Sequence, residues 1–164
     1  MNGHEGDGLT PPTRDLPSNM NIQHPKLLAL HEHWQAKLRV GEFPHRSDFD
    51  PFDLKPFLGH ILILELAEEL DESHYRLFGS KLSEYFDADL TGMRLKDIPA
   101  DRPDMILLEY QNMLLAKAPL VACNQALVGS SVAYYEKLML PLASGERPIA
   151  MVLGAIYPVD NPDQ

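Results

Sequence analysis

The sequence predicts an α+β fold, an antiparallel sheet with helices gathered on one face and a further helix at its N-terminal end. Three observations lead there. First, the stretch Val132 to Val159 holds two long apolar runs parted by Ala143-Ser144-Gly145-Glu146, the pattern of a β-hairpin. Second, the later run, Pro148 to Tyr157, is apolar almost throughout except at Gly154. A strand like that has both faces covered and belongs in the middle of a sheet. Third, the residues before the hairpin alternate between helical and extended patterns, in the order helix, two strands, short helices, one longer helix, strand.

Size and charge narrow the class. A chain of 164 residues suits one domain with a sizeable core. Its 24 acidic residues outweigh 14 basic ones, and the net charge of −10 repels phosphate backbones and anionic membranes. Neither nucleic acid nor membrane is therefore expected as a partner. Cys123 is the single cysteine, which rules out an internal disulfide and a thiolate metal cluster and suits a reducing, cytoplasmic location. No apolar run approaches the ~18 residues of a membrane span, and the start MNGHEGDGLTPPTRD lacks a secretory apolar segment.

Taken in order, residues 1–22 carry Gly3, Gly6, Gly8, Pro11, Pro12 and Pro17 with few large apolar side chains, and read as a flexible tail. The domain is expected over 23–159, with 160–164 as a short C-terminal tail. Pro25 opens a helix whose apolar stripe is Leu27, Leu30, Trp34 and Leu38, ending at Gly41. Two readings of that stripe stand side by side: packing on its own domain, or pairing with a second copy as a dimer interface. His31 and His33 lie two apart and do not share a helical face, so they make no metal pair.

Asp50-Pro51-Phe52-Asp53 reads as a helix start, with Asp50 as N-cap and Pro51 at the first position. The nearby Asp48, Asp50 and Asp53 do not keep calcium-loop spacing, so capping is the preferred role. Arg39 and Arg46 are expected to pair with these carboxylates. Leu58 to Leu66 and His74 to Phe78 read as two strands of a hairpin, and Ser80 as the cap of a short helix through Leu82, Tyr85 and Phe86. Leu95 to Ile98 adds a helical turn. Arg102 to Lys117 is the long helix, with a wide apolar arc, and Leu120 to Val128 the strand that leads into the final hairpin.

This order, with these residues, resembles the PAS domain. Leu38, Arg39, Gly41, Pro44, Arg46, Asp48, Asp50 and Pro51 match the opening L-R-x-G-x-x-P-x-R-x-D-x-D-P of a bacterial single-PAS subfamily. Tyr75-Arg76-Leu77 with Gly79-Ser80, Leu90-Thr91-Gly92 with Leu95, and Leu140-Pro141-Leu142 resemble three later motifs of that subfamily. Asp87 departs from it, standing where members often carry glycine. The resemblance implies a five-stranded antiparallel sheet cupping a pocket beneath the helices. It implies a sensory or interaction module in bacterial signalling, relaying a small molecule or a partner to a second copy or an effector. No catalytic activity is implied. No kinase, cyclase or DNA-binding segment follows Val159 in the sequence, so an effector is expected to be another protein.

The resemblance also limits cofactors. Haem-binding members place an axial histidine on the longest helix, and Arg102 to Lys117 has none; His60 and His74 fall on strand segments. Flavin-binding members use a cysteine in N-C-R-F-L-Q, whereas Cys123 lies on a strand and reads as a small buried apolar residue. Neither haem nor covalent flavin is expected, and the ligand stays unidentified. Candidate pocket residues are Arg76, Tyr110, Met113, Gln125 and Tyr135. Tyr110 and Met113, at helical spacing, read more readily as plain core. Arg76 on an interior strand needs an anionic partner, either a ligand carboxylate or, as the preferred reading, Asp87 or Asp89. Two rival functions remain: a ligand-free dimerisation adaptor using the Leu27–Trp34–Leu38 stripe, and a small cone-shaped α+β enzyme built on Glu65 and His74.

Overall fold

The computed structural model describes residues 20–99, 103–128, 130–161 and 163–164. The expected tail lies outside these apart from residues 20–22, as do Arg102 and Gly129.

Helix α1 spans Pro25–Ala36, with His24 as N-cap accepting the Lys26 N–H at 3.1 Å through its Nδ1. It stops short of Gly41, which takes φ +75° in the tight turn between Arg39 and Glu42. Helix α2, Pro51–Leu54, has the expected start, a reciprocal capping box between Asp50 and Asp53. Strand β1 spans Ile61–Glu65 and β2 His74–Phe78. β1 begins three residues later than expected, because a 3-10 turn at Lys55–Phe57 and Gly59 at φ +92° first redirect the chain. Helix α3, Ser80–Phe86, is capped by Gly79 rather than Ser80. A side chain at Gly79 would stand 2.3 Å from the Gly59 carbonyl oxygen, so only glycine permits this approach. Asp87 closes α3 at φ 53°, a left-handed position that aspartate tolerates better than most residues. Asp87 thus stands at a position whose backbone would also suit glycine.

A 3-10 turn at Leu95–Asp97 leads to helix α4, Pro103–Ala116, and then to β3 Leu120–Val128, β4 Ser131–Ser144 and β5 Arg147–Val159. The sheet order is β2-β1-β5-β4-β3 with antiparallel neighbours throughout, and β5 is the central strand the sequence predicts.

Strand alternation divides the interior into two cores. On one face Ile61, Ile63, Leu138, Leu140, Leu153 and Ala155 pack with Leu27, Leu30 and Trp34 of α1 and with Phe43, Phe49 and Phe57. On the other, Leu62, Leu64, Met139, Val152 and Ile156 pack with Leu82 of α3 and Tyr110 and Met113 of α4. Helix α1 therefore lies across the sheet from α3 and α4. Leu27, Leu30 and Trp34 are fully buried in their own chain, and Leu38 packs partly buried against the same core. These side chains are engaged within the domain, which corrects their reading as an intermolecular stripe.

The β1–β2 pairing carries a bulge that decides where β2 points its side chains. Ile63 faces Leu77 but Leu64 faces Tyr75, leaving Arg76 as the extra residue. Tyr75 and Phe78 consequently both enter the α4 core, while Arg76 and Leu77 both stay exposed.

Candidate functional site

The sheet face beneath α4 is where the sequence placed a pocket, and three of the five candidate residues meet there. Tyr110 and Met113 come from the inner side of α4 and Tyr135 from β4, all three buried. Around them the apolar packing is interrupted by a polar cluster. The hydroxyls of Tyr75 and Tyr110 lie 3.2 Å apart. Lys137 Nζ donates to Glu109 Oε1 at 3.1 Å and sits 5.9 Å from the centre of the Tyr110 ring, a cation–π arrangement. Asn124 Nδ2 reaches both Glu109 oxygens at 3.4 Å.

Burial pushes the Tyr75 phenol up to about 12, and burial together with the neighbouring Tyr75 raises that of Tyr110 well above its ordinary value. Both hydroxyls stay protonated near neutral pH, so one donates to the other across the pair. The cluster can orient a polar group against an apolar wall.

The other two candidates point away. Arg76 is exposed and pairs with Glu65 at 2.8 Å, so its partner is neither Asp87 nor Asp89. The bulge is the reason: it turns Arg76 out of the α4 core. Gln125 is exposed as well, because the neighbouring Asn124 takes the position facing α4. Cys123 is also exposed rather than buried. The enzyme reading loses its dyad too. His74 Nε2 lies 3.9 Å from Glu65, but both side chains are half-exposed and Glu65 is already held by Arg76. A carboxylate in an apolar cavity is what such chemistry needs. Arg39 pairs with Asp48 at 2.6 Å as expected, whereas Arg46 donates to the Phe49 carbonyl instead.

Tyr75, Glu109, Asn124 and Lys137 were not singled out from sequence. One signal was present: Glu136-Lys137 places two adjacent charges inside a long apolar run, and buried charges require partners. Both are nearly inaccessible, at 4% and 6% exposure, and they face opposite sides of β4. Lys137 faces α4. Glu136 faces α1, where its carboxylate accepts the Gln23 N–H at 2.9 Å and the His24 N–H at 2.7 Å.

A second connection runs around the sheet through rings. Tyr157 is stacked against His24 at 4.4 Å and against His60 at 4.1 Å. His60 Nε2 lies 3.1 Å from the Tyr85 hydroxyl, and the Tyr85 ring contacts Tyr135. Burial lowers the affinity of His24 and His60 for a proton, so both favour the neutral imidazole.

Among the described residues no group of three His, Cys, Asp or Glu is placed to hold a metal ion, and no helix is long and apolar enough to cross a membrane.

Solved structures similar to this chain include light-oxygen-voltage domains and PAS domains. A light-oxygen-voltage domain studied with a flavin analogue is 11% identical, with a TM-score of 0.50, covering 65% of this chain and 82% of that one. The PAS domain of histidine kinase ThkA is 19% identical, with a TM-score of 0.44, over 59% of this chain and 97% of that one. The PAS domain of Bordetella pertussis BvgS is 10% identical, with a TM-score of 0.42, over 61% and 74%. No curated protein matches the chain. The first of these likenesses supports the fold, a five-stranded antiparallel sheet with α3 and α4 over one face. The sequence model described as "PAS domain" matches residues 22–157, which takes in every element from α1 to β5 up to Tyr157. On that match and this architecture, the chain belongs to the PAS domain family.

Proposed function

We propose that this PAS domain is a sensory and interaction module in bacterial signalling that has no catalytic output of its own. It takes its input at the α4 face and passes it to the N-terminal lead-in of α1, and so to a second copy or a partner protein in the cytoplasm. The observation that carries this reading is the adjacent pair Glu136 and Lys137. One residue holds α4 through Glu109 and the next holds the backbone that begins α1. A small molecule that competes for Lys137 or for the Tyr75–Tyr110 hydroxyls would shift β4 and loosen or tighten α1 on the opposite face. PAS domains are generally sensory rather than catalytic, which agrees with the half-exposed state of Glu65 and His74 and with the pairing of Glu65 to Arg76.

Amide hydrogen exchange tests this. Glu109→Gln and Lys137→Met are expected to raise exchange at residues 23–30, on the far side of the sheet from the substitution, by about tenfold or more. Faster exchange confined to α4, with residues 23–30 unchanged, would sink the relay.

One observation favours the ligand-free adaptor as a second reading. Met105, Leu108 and Leu115 share the outer side of α4 and are exposed, Leu115 at 82%. An apolar line of that kind suits a protein partner.

A further inference from the structure

The sheet face under α1 is not fully covered. α1 rests on β4 and β5, and towards β2 a cleft of about 470 Å³ opens, lined by Ile63, Leu77 and Met151 with Arg46 and Arg76. Its size falls within the range of small-molecule sites, ~300–1,000 Å³. The bulge creates it by turning Leu77 and Arg76 to the same side; regular alternation would send one of the two into the α4 core. Ile63 is buried and Leu77 is 36% exposed.

The electrostatics select the ligand. The chain carries a net charge of −10, yet two guanidinium groups line this one cleft. Arg46 uses Nη1 on the Phe49 carbonyl at 3.1 Å, and Arg76 uses Nη1 on Glu65 at 2.8 Å. A guanidinium has five N–H donors, so both keep donors for a second acceptor. Glu65, with His74 beside it at 3.9 Å, leaves a carboxylate at the Arg76 edge. That charge repels polyanions such as nucleotides while tolerating a single negative group. The apolar lining asks for a hydrocarbon body.

We propose that the cleft binds an amphiphilic monocarboxylate, its carboxylate on Arg46 and Arg76 and its alkyl chain along Ile63, Leu77 and Met151. The site lies on the opposite face of the sheet from the Tyr110–Lys137 cluster and does not depend on the relay proposed above.

Decanoate is the probe, titrated into the full chain by calorimetry and by amide NMR. One decanoate per chain should bind saturably and move the amides of Ile63, Leu77 and Met151. Decanol, of equal length and without charge, should bind about tenfold more weakly or worse. Arg46→Gln and Arg76→Gln should each weaken decanoate by about tenfold. Circular dichroism of both variants should match the parent, since both side chains stand at the surface. Absence of saturable binding up to millimolar decanoate would overturn the proposal. So would binding indifferent to both arginine substitutions, or shifts centred on Tyr110 and Met113. Shifts in the cleft that follow protein dilution rather than decanoate would assign it to a second copy and equally overturn it.

Discussion

Trp34 shows how one residue joins sequence signal to tertiary contact. It is fully buried, with its ring 6.0 Å from that of Phe43, and its Nε1 donates to the Pro141 carbonyl at 2.9 Å. Pro141 can accept because β3 begins at Leu120, opposite Met139, so β3 offers no ladder partner to the outer edge of β4 at Pro141. The same free edge explains how proline is tolerated in a long strand. Trp34→Ala removes the packing and leaves that carbonyl unpaired, and is expected to cost about 3–5 kcal/mol. Trp34→Phe, which loses mainly the hydrogen bond, should cost roughly 1–3 kcal/mol. Urea unfolding followed by far-ultraviolet circular dichroism measures both, since Trp34 is the chain's single tryptophan and fluorescence would vanish with it. Arg76 is the contrasting case. Its place on a strand called for an anionic partner, a ligand carboxylate or, by preference, Asp87 or Asp89, but its direction depended on one extra residue in a strand pairing that no local pattern announces.

Elements whose signals are short-range were legible. The Asp50–Asp53 box was readable because cap, proline and acidic residue lie within four consecutive positions, and the structure pairs them reciprocally. Asp50→Ala should lower Tm by about 2–4 °C, measured by thermal melt, while Asp50→Ser should keep most of it. β2 and β3 keep the bounds read from their residues, and α4 differs by a residue at each end. β1 and the C-terminus of α1 fit less well, because the turns at Lys55–Phe57 and Arg39–Glu42 cut into apolar runs that periodicity alone would continue. The Glu109–Lys137 contact spans 28 positions and joins two elements whose separate patterns say nothing of each other.

At the scale of the whole molecule, three histidines set a pH dependence of stability. His24, His31 and His60 all have their proton affinity lowered, burial being the largest cause for each. In the unfolded chain they titrate near the ordinary 6.5. Below that value the unfolded state binds more protons than the folded one, so stability falls as pH drops through 6.5 towards the folded values, and is regained above it. Thermal melts between roughly pH 8 and pH 5 should show Tm falling with pH, and His60→Gln should flatten the slope. A slope unchanged by His60→Gln and His24→Gln together would remove these imidazoles as its cause. Asp53, Glu72 and Asp89 have depressed values for other reasons: the Asp50 N–H, the Lys96 ammonium and the Thr91 hydroxyl hold their charged forms. Their contributions are present above the ordinary carboxylate range and are lost only as pH falls through their lower folded values, outside the histidine window.

Sequence alone determined the order of elements, the family resemblance, the starts of α1 and α2 and the central place of β5. Each of these follows from residue chemistry within a few positions or from the apolar content of one run. Only the tertiary structure decided the rest. It placed α1 and α4 on opposite faces, so that Leu27, Leu30 and Trp34 are core side chains of their own domain. It sent Arg76 and Gln125 away from the α4 face and brought Tyr75, Glu109 and Lys137 together beneath it. The physical reason is that strand side chains alternate with period two, so a bulge or a one-residue choice of register reverses what each faces, and register is set by partners distant in sequence.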